Sequence, residues 1–270
     1  MTSQFENDTA VEEVAPGTYK ARIHERWWVV RGPHGGYLAA IILRALEDTL
    51  GQPDRPIRSF TTHFIAAPDE GPIRIQTTLE RASRSITFMS ARVDQDDRMI
   101  ATSQAAFSGP WRGFEFDDAP APDVPGPADS IPVPAEGSEI PTFLGNFDMR
   151  FNLGAAPFTG ADEAMIGGWI RMRDPSAADA PMIACFLDAW APAVFPRATE
   201  PIVAPTIDLT MHFRAPLPIE GATPDDYYLG RFSSSLGRDG FFEEDGELWS
   251  PDGRLIAQSR QLALAMTRRK

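Results

Sequence analysis

Gly35 and Gly36 follow His34 and open an apolar run, so a helix starting there offers unpaired backbone N–H groups and the positive end of its dipole. Such an end suits a developing oxyanion, and glycine lets a reacting carbonyl come close. The same pair would serve equally well as a tight passage from strand to helix. His34, at the helix entrance, is a candidate site residue, as is Tyr37 just inside. Two carboxylates stand in apolar surroundings. Asp208 lies in Pro205-Thr206-Ile207-Asp208-Leu209-Thr210-Met211-His212-Phe213, where by itself it reads as a strand-end carboxylate bonded to nearby amides. Asp188 interrupts an apolar helix. Cys185 is the sole cysteine, which excludes an intrachain disulfide and a Cys/His zinc cluster and fits a reducing cytoplasm. No metal and no cofactor are expected.

The elements that must position these residues fall into two patterned blocks. Residues 1–113 form the first and 145–270 the second, separated by a stretch from Phe114 to Leu144 so rich in Pro, Asp and Ala that neither regular helix nor interior strand can form there. In the first block TYKARI and ERWWVV read as strands, GGYLAAIILRALEDTL as a helix over about 36–50, and four further segments alternate with the period of a half-buried sheet. The second block repeats the order, with APMIACFLDAWAPAV as a helix over about 181–194. Both helices are apolar nearly all round, as expected of helices wrapped by a sheet.

The repeat extends to residues. Thr61-Thr62-His63-Phe64 before Ala67-Pro68 matches Thr210-Met211-His212-Phe213 before Ala215-Pro216, and Met99-Ile100-Ala101-Thr102-Ser103 matches Leu255-Ile256-Ala257-Gln258-Ser259. The recurrence of His63 and His212 points to a role in the fold. A repeat this long means duplicated α+β domains. One antiparallel sheet around one long helix, duplicated, is the tandem double-hotdog arrangement; the runner-up is an unrelated α+β pair. Laid on one another, the halves place Asp208 opposite Ser59, Gln261 opposite Ala105 and Asp188 opposite Arg44. One of two pseudo-equivalent sites should therefore keep chemistry, built from second-block polar residues and the glycine-opened helix of the first.

The stretches Gly32-Pro33-His34-Gly35-Gly36-Tyr37-Leu38-Ala39-Ala40 and Thr206 to Arg214, with Asp252-Gly253-Arg254-Leu255-Ile256-Ala257-Gln258-Ser259-Arg260-Gln261, resemble the thioesterase-like superfamily, above all the bacterial type II acyl-CoA thioesterases. The resemblance covers nearly the whole chain outside the linker and the first fifteen or so residues. It implies hydrolysis of an acyl-CoA to free acid and CoA by a water that an Asp, a Thr or Ser, and a Gln hold between them. Asp208 matches the first position and Gln261 the third. The hydroxyl falls within Ser233-Ser234-Ser235, where Ser234 is favoured and Ser235 comes next, because Leu236-Gly237-Arg238-Asp239-Gly240 differs in length from the family. Asp208 would be the base, Ser234 and Gln261 would orient the water, and Gly35 and Gly36 would supply oxyanion donors. Asp188 is the reserve base.

A net charge of −13 argues against nucleic acid or an anionic membrane as partner. The acidic N-terminus lacks the order of a signal peptide, and YLAAIIL is far shorter than a membrane span, so a soluble cytoplasmic protein is expected. Binding a CoA requires a local positive patch, for which Arg214, Arg231, Arg238 and Arg260 are candidates. Trp27, Trp28, Trp190 and Phe213 hint at an apolar pocket. Sheet edges predict a homodimer or higher homo-oligomer. Two alternatives stand beside the hydrolase: a non-catalytic acyl-thioester binding protein, and a hotdog hydratase or dehydratase, which would need a carboxylate before the helix that Trp28-Val29-Val30-Arg31-Gly32-Pro33 does not contain.

Overall fold

The alternating segments form strands and the run after His34 forms a helix in a computed structural model that describes residues 2–138 and 140–267. The first half contains α1 (Gln4–Asp8), β1 (Glu12–Ala15), β2 (Thr18–Ile23), α2 (Gly35–Leu50), β3 (Ile57–Phe64), β4 (Gly71–Ala82), β5 (Ile86–Gln95) and β6 (Arg98–Ser108). Beyond β7 (Ile131–Pro132), the second half contains β8 (Phe147–Gly154), β9 (Ala164–Met172), α3 (Ala180–Phe186), β10 (Ile202–Val203), β11 (Thr206–Phe213), β12 (Tyr228–Ser234), β13 (Gly237–Arg238), β14 (Phe241–Trp249), β15 (Leu255–Leu264) and β16 (Met266–Thr267). Apart from the short pair β10 and β16, the strands form one antiparallel sheet in the order β1-β2-β4-β5-β6-β3-β11-β15-β14-β12-β9-β8-β7, with β13 on β14.

Outward from the seam where β3 pairs with β11, the halves run β3-β6-β5-β4-β2-β1 and β11-β15-β14-β12-β9-β8. Equivalent strands thus occupy equivalent places. At the seam Thr61 faces Thr210, their hydroxyls 3.0 Å apart. One face of this sheet packs on the helices. Along β11, Leu209, Met211 and Phe213 are buried there while Asp208, Thr210 and His212 alternate to the other side.

Helix α2 is buried from Gly36 to Leu43 and at Ala45 and Leu46. His34 caps it, its Nδ1 accepting from the Tyr37 N–H at 3.2 Å, and Gly51 ends it in the left-handed region at φ 60°. The second helix is shorter than the expected 181–194, spanning Ala180–Phe186. Pro192 rules out the expected extension to 194: it lacks an N–H for the carbonyl of Asp188 four residues back, and its ring clashes with that carbonyl in a helix. The N–H groups of Asp188 and Ala189 leave the helical ladder earlier still, bonding three residues back. The chain instead turns through Leu187, Asp188 and Ala189. Nor is ERWWVV a strand. Glu25–Trp27 is a 3-10 turn, and Trp28 bridges only to Pro33.

Within the proline-rich stretch, 3-10 turns at Pro127–Asp129 and Thr142–Asn146 accompany the edge strand β7. The stretch is fastened to the second half through its carbonyls: Pro125 O accepts from Trp169 Nε1 at 2.8 Å and Asn152 Nδ2 at 3.1 Å, and Ala119 O from Trp249 Nε1 at 2.9 Å. Among the described residues no helix is long and apolar enough to cross a membrane.

Candidate active site

The break after α3 creates the first half of the site. The Asp188 carbonyl that Pro192 cannot satisfy accepts instead from His34 Nε2 at 2.7 Å, and the Asp188 Oδ2 lies 3.3 Å from the same nitrogen. Because His34 Nδ1 already accepts from Tyr37, the ring is assigned as the neutral tautomer with its proton on Nε2. Phe143 stacks on the imidazole at 5.0 Å between centroids. Asp188 Oδ2 also accepts from the Gly36 N–H at 2.7 Å, in the first turn of α2. A Cβ on Gly36 would stand 2.8 Å from the Cys185 carbonyl oxygen and from His34 Cε1, and one on Gly35 would stand 2.9 Å from Asp188 Oδ2. The glycine pair is therefore needed for the close approach of the two chain segments.

Burial raises the proton affinity of the Asp188 carboxyl above the ordinary carboxylate range, against the opposing pull of His34 and the Gly36 N–H. Its side chain is 12% exposed, whereas that of His34 is 3%. The carboxylate is thus the member of the pair that meets the outside. Cys185 Sγ sits 3.7 Å from His34 Nδ1, but it is fully buried, and desolvation followed by the Asp188 charge pushes its thiol well up. An inaccessible thiol held protonated is not a nucleophile.

The second half of the site is a polar row on the helix-facing side of the sheet. Thr206 Oγ1 donates to Gln261 Oε1 at 2.7 Å, Gln261 Nε2 donates to Glu244 Oε1 at 2.6 Å, and Glu244 Oε2 accepts from the Ala193 N–H. Gln261 and Glu244 are 6% and 4% exposed. Desolvation pushes the Glu244 carboxyl up to about 7, the Ala193 and Gln261 hydrogen bonds resisting and the charges of Asp188 and Asp245 adding to it. The two buried carboxyls, one from each side of the interior, thus feel one another.

The first half lacks all of this. Register shifts fall at Thr206/Asp208 in β11 and at Ile57/Ser59 in β3, so Thr206 corresponds to Ile57. Leu209 faces Gln261, which faces Glu244; the matching row is Phe60, Ala105 and Met89. Thr206, Gln261 and Glu244 thus stand where the first half has Ile57, Ala105 and Met89. At the helices, Asp179 caps α3 through the N–H of Met182 as His34 caps α2, so Gly35 and Gly36 correspond to Ala180 and Pro181. Arg44 Nη1 reaches Asp179 Oδ2 at 3.0 Å where Asp188 reaches His34.

The expected water-holding trio is not gathered. Gln261 faces the helices, but Asp208 stands one register position on, between Leu262 and the exposed His63, on the other face of the sheet. The bulge after Thr206 turns Thr206 rather than Asp208 toward Gln261. Ser234 Oγ lies 3.5 Å from Glu243 Oε2, while the N–H groups of Ser235 and Leu236 bond that carboxylate at 2.7 and 3.1 Å. The Gly36 N–H is taken by Asp188, and Tyr37 is a structural residue whose buried hydroxyl donates to the carbonyls of Asp8 and Arg22, both at 2.9 Å. Of the four arginines, Arg231 pairs with Glu247 and Arg260 with Asp245, Arg214 donates to Gln258, and Arg238 lies exposed on β13. They do not form one patch with the buried site. Thr206 and Glu244 escaped the sequence reading. The register opposite Gln261, with an acidic residue in an alternating buried position, was the available sign for Glu244.

Comparison with known proteins agrees with this architecture. An uncharacterized protein of Mycobacterium tuberculosis is 26% identical over 91% of this chain and 90% of its own length. A hot dog fold protein of unknown function from Alicyclobacillus acidocaldarius superposes with a TM-score of 0.89 at 25% identity, covering 100% of both chains. An acyl-CoA thioesterase II of Mycobacterium marinum shares the fold with a TM-score of 0.76 at 20% identity, over 98% of this chain and 99% of that one. Residues 24–108 match the acyl-CoA thioesterase N-terminal domain and residues 117–265 the acyl-CoA thioesterase C-terminal domain. With both halves matched in order, this chain belongs to the acyl-CoA thioesterase family.

Proposed function

We propose that this chain, a tandem double hotdog, hydrolyses the thioester of an acyl-CoA at the interface of its halves, with Asp188 as the base. The observation that carries the reading is the one-sided polar row: Thr206, Gln261 and Glu244 are linked on the helix-facing side of the sheet, with Glu244 within the field of Asp188, where the equivalent positions of the first half are apolar or closed by Arg44. A buried polar row that the fold itself does not require calls for a functional explanation. In this reading a water donates its proton to Asp188 as its oxygen attacks the acyl carbon. The C–S bond then breaks, and the proton passes from Asp188 to the departing thiolate. His34 and the Gly36 N–H orient the carboxylate, while Gln261, its amide fixed by Thr206 and Glu244, presents its hydrogen-bonding edge to the reacting group.

Release of thiol from a panel of straight-chain, branched and aromatic acyl-CoAs tests the activity and its range. Asp188→Asn should lower kcat by about 10²–10⁴-fold with little change in KM, because a base acts mainly in the transition state. Asp208→Asn, on the opposite face, should retain near-normal turnover. The reverse pattern would return the role to Asp208. Binding without thiol release from any substrate would leave an acyl-thioester binding protein.

A further inference from the structure

The row of Thr206, Gln261 and Glu244 has two self-consistent hydrogen-bond arrangements, and they differ by one proton. Gln261 and Glu244 are buried, so their polar atoms need partners. With Glu244 ionised, both its oxygens only accept: Oε2 from the Ala193 N–H, and Oε1 from Gln261 Nε2 at 2.6 Å. Gln261 Oε1 is then free to accept from Thr206 Oγ1 at 2.7 Å. This is the arrangement in the structure. Adding a proton to Glu244 cannot leave it intact. Oε2 already meets a backbone donor whose direction the turn after α3 fixes, so the new O–H belongs on Oε1, where it points at Gln261 Nε2, another donor. A half-turn of the Gln261 amide removes the conflict: its oxygen accepts from Glu244, and its nitrogen donates to Thr206 Oγ1. Thr206 changes from donor to acceptor with it.

We propose that Glu244 is a positioning residue whose proton reverses the polarity of this row, so that Gln261 offers the reacting thioester a free N–H only while Glu244 is ionised. The effect on turnover rests on the thioesterase reading; the reversal itself does not. In the ionised arrangement the second N–H of Gln261 Nε2 makes no bond among the described residues and can meet an oxygen gaining negative charge. After reversal a carbonyl oxygen stands there instead and repels it. Burial brings the exchange into the neutral range, since desolvation lifts the Glu244 carboxyl from 4.5 to about 7. Two charges add to that rise: Asp188 from the turn after α3, and Asp245 beside it on β14, which pairs with Arg260 of β15. Otherwise β15 meets Glu244 with the uncharged Gln261, and the ladder from β12 ends at Ser233 opposite Asp245. The first half has no such device, because Met89 and Ala105 occupy the equivalent places.

Side-chain amide NMR of the full chain, labelled with nitrogen-15 glutamine, reads the reversal, with Gln261 assigned as the proton pair missing from Gln261→Met. Between pH 5 and pH 8.5 that pair should titrate, and at high pH one of its protons should lie downfield, as a donor to a carboxylate does. In Glu244→Gln, whose neutral amide holds the reversed arrangement at every pH, the pair should keep its low-pH position. Thiol release gives the second reading. The ratio of wild-type to Glu244→Gln kcat should be close to one at pH 5 and rise at least about tenfold by pH 8.5, the loss of an oxyanion donor being worth more than that. Titration of Asp188 is common to both proteins and largely cancels in the ratio. A Gln261 pair that ignores pH in the wild type, or that moves equally in Glu244→Gln, would overturn the proposal, as would a kcat ratio independent of pH. If the unaltered protein released no thiol, the thioesterase reading would fall, and the amide resonances would decide the reversal by themselves.

Discussion

Replacing Glu244 by Gln should make the protein more stable at pH 8 and change it little at pH 5. Burial lifts this carboxyl from an ordinary 4.5 to about 7 in the folded chain. Between those values the folded state keeps a proton that the unfolded chain has released, so stability falls as pH rises through the window and levels off above it. A displacement of that size corresponds to about 3 kcal/mol. Glutamine carries no charge at any pH in this range. Its amide can also be accommodated: Gln261 turns over, accepting from the new amide and donating to Thr206 Oγ1, while the new carbonyl keeps the Ala193 N–H. Urea denaturation at pH 5, 6, 7 and 8, extrapolated to water, reads the difference directly. The variant should gain roughly 2–3 kcal/mol over the wild type between pH 5 and pH 8, most of it between 5 and 7. Other raised groups, Asp188 and Glu47, are common to both proteins and largely cancel in the difference. Parallel stability curves would refute a buried Glu244 that titrates near neutrality.

Gly36→Ala should lower stability by about 1–3 kcal/mol although alanine is the better helix former, because its Cβ meets the Cys185 carbonyl and His34 ring at 2.8 Å; an unchanged melting temperature in thermal denaturation would show that α2 and the Asp188 segment are not in tight contact. The chain should associate into at least a dimer at micromolar concentration, and light scattering that finds the mass of one chain would refute this.

How far the sequence carried depends on which physical rule each element obeys. Alternation placed every main strand, and the apolar run after His34 placed α2 to within a residue, because both follow from burial of one face or of a whole helix. Helix α3 was overextended by reading apolarity without weighing Pro192, a local steric fact that apolar periodicity does not register. ERWWVV failed for a related reason: aromatic and β-branched residues favour strands only when a neighbouring strand is there to pair with, and Trp27 instead stacks on Tyr37 at 4.7 Å. In the site, Gly35, Gly36 and His34 were legible as a helix entrance, whereas Gln261 was assigned from the family pattern, with Ala105 opposite it in the first half. Asp208 was placed by family pattern, which carries no information about a bulge. One extra residue between Thr206 and Asp208 exchanges which side chain faces inward.

The same register argument explains why a duplicated chain tolerates an uncompensated acidic interior on one side. Each half needs the strand order and the helix against the sheet, and neither needs the polar row, since Ile57, Ala105 and Met89 fill the equivalent places with apolar packing. Burial raises the proton affinity of both Glu244 and Asp188, and the Asp188 charge adds to the rise at Glu244, which costs stability at neutral pH. The first half is packed apolar at those rows and joined to the second through the seam of β3 and β11, so it avoids that cost there, its own raised carboxyl being Glu47 on α2. Under the proposed function, duplication separates two demands that a single domain would have to meet with the same residues: apolar packing of these rows for stability, and a buried carboxylate with its polar neighbours for proton transfer.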